Sequence, residues 1–181
     1  MASDRLEYVV DFDGMSSSDA SRCARDVLEV LAADIAKAET DIPWDERESW
    51  PEEVVLAACR LRDRFVPLGE RGEVYMRTGV QRVMDDKVLA DYLVVAPHAY
   101  DAQFWREDFA EVASLADEGQ SFVAWLTEKQ RASVVARVGN DRVVVLAEWR
   151  AAHRPAWRRM IGDLGAAVAR LAQGQKEPPT R

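Results

Sequence analysis

A strand, a turn and a long helix are predicted by residues 6–39, LEYVVDFDGMSSSDASRCARDVLEVLAADIAKAE. Leu6–Phe12 is a short apolar run with many β-strand formers, and the Asp13-Gly14 pair after it is typical of a turn. Apolar side chains then recur at helical spacing over residues 18–39, while charged side chains occupy the opposite face. A strand that leads into an amphipathic helix indicates a domain in which helices pack against a sheet.

The rest of the chain continues this mixture of helix and strand patterns. Helices are expected over residues 52–65, 80–89, 101–117 and 121–130, and strands over 73–78 and 92–96. Two β-branched runs, 133–138 and 142–149, flank a turn sequence and predict a hairpin. Pro155 then opens a last amphipathic helix. We therefore expect one α+β domain over residues 1–173, with a small mixed or antiparallel sheet, a C-terminal β-hairpin and three to five helices, followed by a flexible tail over 174–181.

Charge is distributed unevenly along the chain, whose formal net charge is −8. Residues 1–128 hold 13 basic and 28 acidic side chains, a net charge of −15, whereas residues 129–170 have a net charge of +6. An acidic body attracts a basic protein and repels a long polyanion, so nucleic acid is not the expected partner. The apolar runs are far shorter than the roughly 18 residues of a membrane span, and the N-terminus is charged where a signal peptide is apolar. We expect a cytoplasmic protein without a membrane partner.

Few residues in the chain suit metal or cofactor chemistry. The two cysteines, Cys23 and Cys59, fall on apolar stripes of predicted helices, which predicts buried thiols in a reducing compartment. Two histidines, His98 and His153, are too few for an ordinary zinc site without a Cys-x-x-Cys pair. No glycine-rich phosphate loop, dinucleotide fingerprint or Gly-x-Ser-x-Gly motif occurs. These observations favour a non-enzymatic protein with no cofactor.

Two tryptophans in an acidic, proline-bounded segment are the strongest candidates for partner binding. The segment runs from Pro43 to Pro51, and its predicted binding residues are Trp44, Asp45, Glu46, Glu48 and Trp50. Tryptophan is enriched at binding hot spots, and carboxylates steer the approach of a basic partner. The alternative is that both rings fold back onto the core and fix the segment. Our leading hypothesis is an acidic protein-binding module that neutralises a basic partner, as an immunity protein or nuclease inhibitor does.

A second hypothesis concerns the end of the first strand, which reads Asp11-Phe12-Asp13-Gly14. A hydrophobic strand ending in Asp-x-Asp-Gly resembles the first motif of haloacid-dehalogenase-type phosphotransferases. The resemblance implies a Mg²⁺-dependent phosphohydrolase in which Asp11 is the nucleophile and Asp13 is the general acid or base. The alternative is a strand that simply leaves through an Asp-Gly turn into a serine-capped helix.

The later motifs of that family have only approximate counterparts in this chain. Thr78 could supply the strand-end hydroxyl, and Asp85-Asp86 could supply the final acidic pair. Six residues separate Thr78 from Asp85, whereas a βαβ unit of about 30 residues should intervene. Lys87 follows the acidic pair instead of preceding it. The resemblance therefore covers about six residues.

A third hypothesis is anion or nucleic-acid binding by a basic cluster near the predicted last helix. Its predicted residues are Arg150, Arg154, Arg158 and Arg159. Arg154 and Arg158 are four residues apart and share a helical face, and a helix N-terminus is a natural anion site. The alternative is an internal network in which the chain's own carboxylates neutralise these arginines.

Overall fold

The structure is a computed structural model that describes residues 5–83, 85–116 and 121–153. The chain divides into two compact units, Met1–Leu146 and Ala147–Arg181. The first unit contains a β-sheet with α-helices packed on it, which confirms the predicted α+β class. The predicted tail over residues 174–181 and the helix expected from Pro155 lie outside the described residues.

The described residues contain eight strands and five α-helices. The strands are β1 (Leu6–Val10), β2 (Lys37–Ile42), β3 (Met76–Arg77), β4 (Gln81–Arg82), β5 (Asp101–Trp105), β6 (Glu111–Ala116), β7 (Ser121–Leu126) and β8 (Val143–Val145). The α-helices are α1 (Ser17–Leu31), α2 (Glu52–Phe65), α3 (Asp86–Val95), α4 (Glu128–Val138) and α5 (Leu146–Ala152). Short 3₁₀ helices include Trp44–Ser49, between β2 and α2, and Ala96–His98, directly after α3. None of the described helices combines the length and the apolar character needed to cross a bilayer.

The strands form one antiparallel sheet in the order β3-β2-β5-β6-β7-β1-β8. The short strand β4 pairs with the N-terminal half of β2, on the edge where β3 pairs with its C-terminal half. The sheet is thus larger than expected and wholly antiparallel in its described pairs.

One face of the sheet carries the hydrophobic core. Cross-strand partners such as Phe104 and Ala113, and Leu115 and Phe122, are buried on this face. Helices α1, α2, α3 and α4 bury their apolar stripes in the same core, including Leu28 and Tyr92. Burial of this apolar surface is the main favourable contribution to folding.

Local signals explain where three of the helices begin. Ser16 precedes α1, and its Oγ accepts a hydrogen bond from the Asp19 amide at 3.2 Å. Thr127 and Gln130 form a capping box at the start of α4. Helix α2 follows Pro51 and carries two glutamates in its first turn, as predicted.

Several predicted elements were wrong because tertiary pairing overrides local pattern. The first helix ends at Leu31, and of the residues expected to continue it, Ala32–Asp34 form a 3₁₀ turn and residues 37–39 belong to the interior strand β2. The helix expected over 101–117 is the β5–β6 hairpin, and the strand expected over 92–96 belongs largely to α3. The predicted C-terminal hairpin does not form, because residues 133–138 lie in α4 and only Val143–Val145 of the second run is a strand. Residues 121–126, expected to be helical, form β7.

Candidate binding cleft

A cleft of about 1010 Å³ in the first unit could receive a ligand. Five parts of the chain line it: the β1–α1 turn, α1, the segment around Trp50, the first turn of α2, and the residues that follow α3. Apolar side chains such as Phe12 and Val54 lie beside charged and hydroxyl groups in this lining. We call this cavity the Trp50 cleft.

The β1–α1 turn places Asp13 at the cleft. Asp11 Oδ1 accepts a hydrogen bond from the Asp13 amide at 2.9 Å, which closes a local side-chain turn. Gly14 follows with φ of 76°, a conformation that favours glycine. Arg142, which directly precedes β8, holds the turn: its Nη1 donates hydrogen bonds to the backbone oxygens of Asp11 and Asp13. The Asp13 side chain is exposed and lines the cleft, whereas Asp11 does not line it.

Trp44 begins a 3₁₀ helix, Trp44–Ser49, and Trp50 follows it, and the two rings line different cavities. Trp50 lines the Trp50 cleft, whereas Trp44 lines a second cavity of about 600 Å³ together with Asp45, Arg47 and Arg62. Both rings are half-buried and pack against the core. The rings therefore fix the segment to the core while each leaves an edge facing a cavity.

The predicted binding residues of this segment separate in the same way. Glu46 lines the Trp50 cleft and accepts a hydrogen bond from Tyr100 Oη at 2.8 Å. Asp45 belongs to the second cavity, and Glu48 is exposed outside the lining of both. Glu46 and Trp50 are thus the two predicted partner-binding residues that the fold brings to the larger cleft.

The charges of the cleft do not balance. Arg22 pairs with Asp19 at 2.6 Å, and Arg25 pairs with Glu53 at 3.2 Å, so each cleft arginine already has a carboxylate. Within the part of the chain that the structure describes, neither Asp13 nor Glu46 has an ion-pair partner. Two uncompensated carboxylates therefore remain in the lining, and the exposed Glu52 at the start of α2 adds further negative charge nearby.

His98 completes the wall behind Trp50. The two ring centroids lie 6.2 Å apart with an interplanar angle of 53°. Burial lowers the pKa of His98 below its usual value, while the negative charge of Glu53 opposes that effect. The imidazole is therefore neutral at pH 7 and adds no positive charge to the cleft.

The residues suggested by the phosphotransferase resemblance do not come together. Thr78 lies at the edge of β2, and four strand spacings of about 4.8 Å separate β2 from β1, which leads into Asp11. Asp85 instead caps α3, accepting from the Lys87 amide at 2.8 Å. Among residues 5–83, 85–116 and 121–153, no group of three His, Cys, Asp or Glu side chains could hold a metal ion.

The structure describes the predicted basic cluster only in part. Arg150 is exposed on α5, in the second unit. Arg154, Arg158 and Arg159 lie outside the described residues. His153, directly after α5, stacks on Trp149 with ring centroids 4.3 Å apart.

Comparison with known proteins does not identify the chain. No family model, curated protein or solved structure matches it.

Sequence reasoning missed the contributions of His98, Arg22 and Arg25 to this cleft. His98 meets Trp50 across 48 positions of sequence, and no local pattern signals such a contact. The spacing of residues around the two acidic motifs also gives no indication that Asp13 and Glu46 line one cavity. These walls come together because α3 packs against both α1 and α2.

Proposed function

We propose that this protein binds a basic segment of another protein in the Trp50 cleft, and that it acts through binding. The observation that carries the proposal is the pair of uncompensated carboxylates, Asp13 and Glu46, in a cleft with the half-buried Trp50 ring. A half-buried aromatic ring supplies contact area at low entropic cost, and the unpaired carboxylates supply charge complementarity.

The charge of the whole chain supports a basic partner. The net charge of −15 over residues 1–128 raises the association rate of a basic protein and lowers that of an acidic one. Exposed carboxylates at Asp45, Glu48 and Glu52 extend the negative potential outside the cleft. An antagonist of a basic enzyme, such as an immunity protein or nuclease inhibitor, is a concrete form of this function.

The test is capture of the partner from native lysate, followed by calorimetric titration of the purified pair. We expect Trp50→Ala to weaken binding by about tenfold or more, as loss of a central aromatic anchor does. The double variant Asp13→Asn/Glu46→Gln should also weaken binding and should reduce its dependence on salt.

A matched control removes the same charge elsewhere. Glu7 and Glu111 are exposed on β1 and β6, have no ion-pair partner among the described residues, and do not line the cleft. The variant Glu7→Gln/Glu111→Gln should bind nearly as the wild type does. The combined variant Trp44→Ala/Trp50→Ala should lose binding; unchanged affinity in a folded form of it would overturn the proposal.

A further inference from the structure

The two tryptophans of the Trp44–Trp50 segment differ in their cationic neighbours. The Trp44 ring has two guanidinium groups over it, Arg47 at 5.2 Å and Arg62 at 4.5 Å from the ring centroid. Among the described residues, no guanidinium or ammonium group lies over the Trp50 ring. The ring contact of Trp50 is instead the neutral imidazole of His98.

We propose that the Trp50 cleft receives a guanidinium group, the side chain of an arginine in the partner's basic segment, over the Trp50 ring. This inference rests on the proposed function and specifies its chemistry. A guanidinium combines the positive charge that Asp13 and Glu46 require with a planar surface that stacks on an indole.

The contacts inside the cleft leave these groups available. Arg22 and Arg25 cannot neutralise Asp13 or Glu46 without leaving Asp19 and Glu53, the carboxylates that they already contact. Glu46 Oε1 accepts from Tyr100, and a carboxylate has acceptor capacity for further donors. Arginine, with five donors in a fixed fork, can satisfy a carboxylate while its plane rests on the ring.

Chain geometry also explains why the protein's own arginines do not occupy this position. Arg47 points its guanidinium toward Trp44, whose backbone oxygen accepts from Arg47 Nη1 at 2.6 Å. Arg62 is held at the same ring and forms an ion pair with Asp63 at 2.9 Å. The segment therefore contains one tryptophan, Trp44, whose ring already has two guanidinium groups over it. The other, Trp50, has none over its ring among the described residues.

The experiment uses the full ¹⁵N-labelled chain and follows the indole resonances of its six tryptophans by NMR. The probes are the peptide acetyl-Gly-Arg-Gly-amide and its citrulline analogue, which has nearly the same shape without the charge. We expect the arginine peptide to shift the Trp50 indole and His98 imidazole resonances in a saturable way. The citrulline peptide should bind at least about fivefold more weakly.

Two variants make the assignment specific. Trp50→Leu should abolish the saturable shift of the His98 ring, and the remaining spectrum reports whether that variant is folded. Trp44→Phe should leave the response to the arginine peptide unchanged. Equal responses to both peptides, or no saturable shift at Trp50, would overturn the inference.

The outcomes separate this inference from the function on which it rests. A captured protein partner whose binding needs Trp50, combined with no preference for arginine over citrulline, overturns the guanidinium inference alone. Saturable arginine binding at Trp50 without any protein partner supports the cleft chemistry and overturns the proposed protein-binding function. Failure of both measurements overturns both.

Discussion

Arg77 lies against Asp41, with Nε 2.7 Å from Oδ1, and the same nitrogen is 3.5 Å from Glu39 Oε1. Glu39 and Asp41 are two residues apart on β2 and so project from the same face of the strand. The Asp41 side chain is only 8% exposed, whereas the Arg77 side chain is 54% exposed. One partly solvated cation on the edge strand β3 therefore compensates two carboxylates of an interior strand.

We expect Arg77→Ala to lower the free energy of unfolding by about 2 kcal/mol, because it leaves Asp41 buried beside a like charge. Asp41→Asn should cost less, since the exposed Arg77 guanidinium can return to water. Urea denaturation of both single variants and of the double variant measures this difference. The double variant should lose less stability than the two single losses added together, and strict additivity would contradict the coupling.

Tyr92 has a buried hydroxyl group that stabilises the fold little. The side chain is fully buried on α3, and its Oη has no hydrogen-bond partner among the described residues. Burial raises the pKa of Tyr92 to about 12, although the nearby Thr78 side chain lowers it in part. The Thr78 hydroxyl is oriented toward the carbonyl oxygens of Thr40 and Gly79.

We expect Tyr92→Phe to leave stability unchanged or to increase it by up to about 1 kcal/mol, because it removes an unpaired buried polar atom. Tyr92→Leu should destabilise by at least about 1 kcal/mol, since it also removes the ring that packs on Phe65 with centroids 6.2 Å apart. Thermal unfolding distinguishes the two variants. A clear loss of stability in Tyr92→Phe would show that the hydroxyl has a partner, such as a buried water molecule.

His98 should make stability depend on pH in a defined window. Its folded-state pKa is lowered by burial, so the unfolded chain takes up the proton first as the pH falls through about 6.5. The free energy of unfolding should therefore be highest above pH 6.5. It should decrease by at most about 1.4 kcal/mol per pH unit until the folded-state pKa is reached.

Urea denaturation at pH 7.5, 6.5 and 5.5 checks this dependence. His98→Gln should flatten the profile over this interval, in which carboxylates remain ionised. His153 is retained in both proteins and serves as an internal control. Parallel profiles for the wild type and His98→Gln would contradict the expected contribution of His98.

The sequence predicted those elements whose local pattern and tertiary role agree. Helix α2 has a proline entry, acidic residues in its first turn and an apolar stripe, and it occupies residues 52–65 as expected. β1 was predicted from its apolar run, and Tyr8, Val9 and Val10 in it are buried, while β7 and β8 pair with its two edges. The prediction failed where the local pattern was ambiguous. Lys37–Ile42 contains helix-favouring alanine but lies between β5 and the β3–β4 edge, where backbone pairing determines its structure.

The candidate site was predictable only in parts. Glu46 and Trp50 could be identified from residue type and the flanking prolines, and Asp13 from its place after a strand. Their meeting in one cleft depends on α3, which packs against both α1 and α2, and on the Arg25–Glu53 ion pair between those two helices. A single sequence does not express such long-range relationships. The ion pairs that neutralise Arg22 and Arg25, and thus leave Asp13 and Glu46 uncompensated, depend on the same packing.

Phe109, in the β5–β6 hairpin loop, balances backbone strain against ring contacts. Its φ is 62°, the one positive value at a non-glycine position in the described residues. Lys37 Nζ lies 3.5 Å from the centroid of its ring, and the Trp105 ring centroid is 6.5 Å away. A bulky residue in this conformation costs about 1–2 kcal/mol, which the aromatic and cation–π contacts offset in part.

Two substitutions of Phe109 separate these contributions. Phe109→Ala keeps a Cβ in the unfavourable conformation and loses both ring contacts, so it should destabilise by about 1 kcal/mol. Phe109→Asn loses the same contacts but tolerates positive φ better, so its stability should stay within about 0.5 kcal/mol of the wild type. Urea denaturation gives the ranking, and a repeat with Lys37→Met should reduce the cost of Phe109→Ala. Equal stabilities of the alanine and asparagine variants would mean that the backbone conformation contributes nothing measurable, because the two differ chiefly in how well they adopt positive φ.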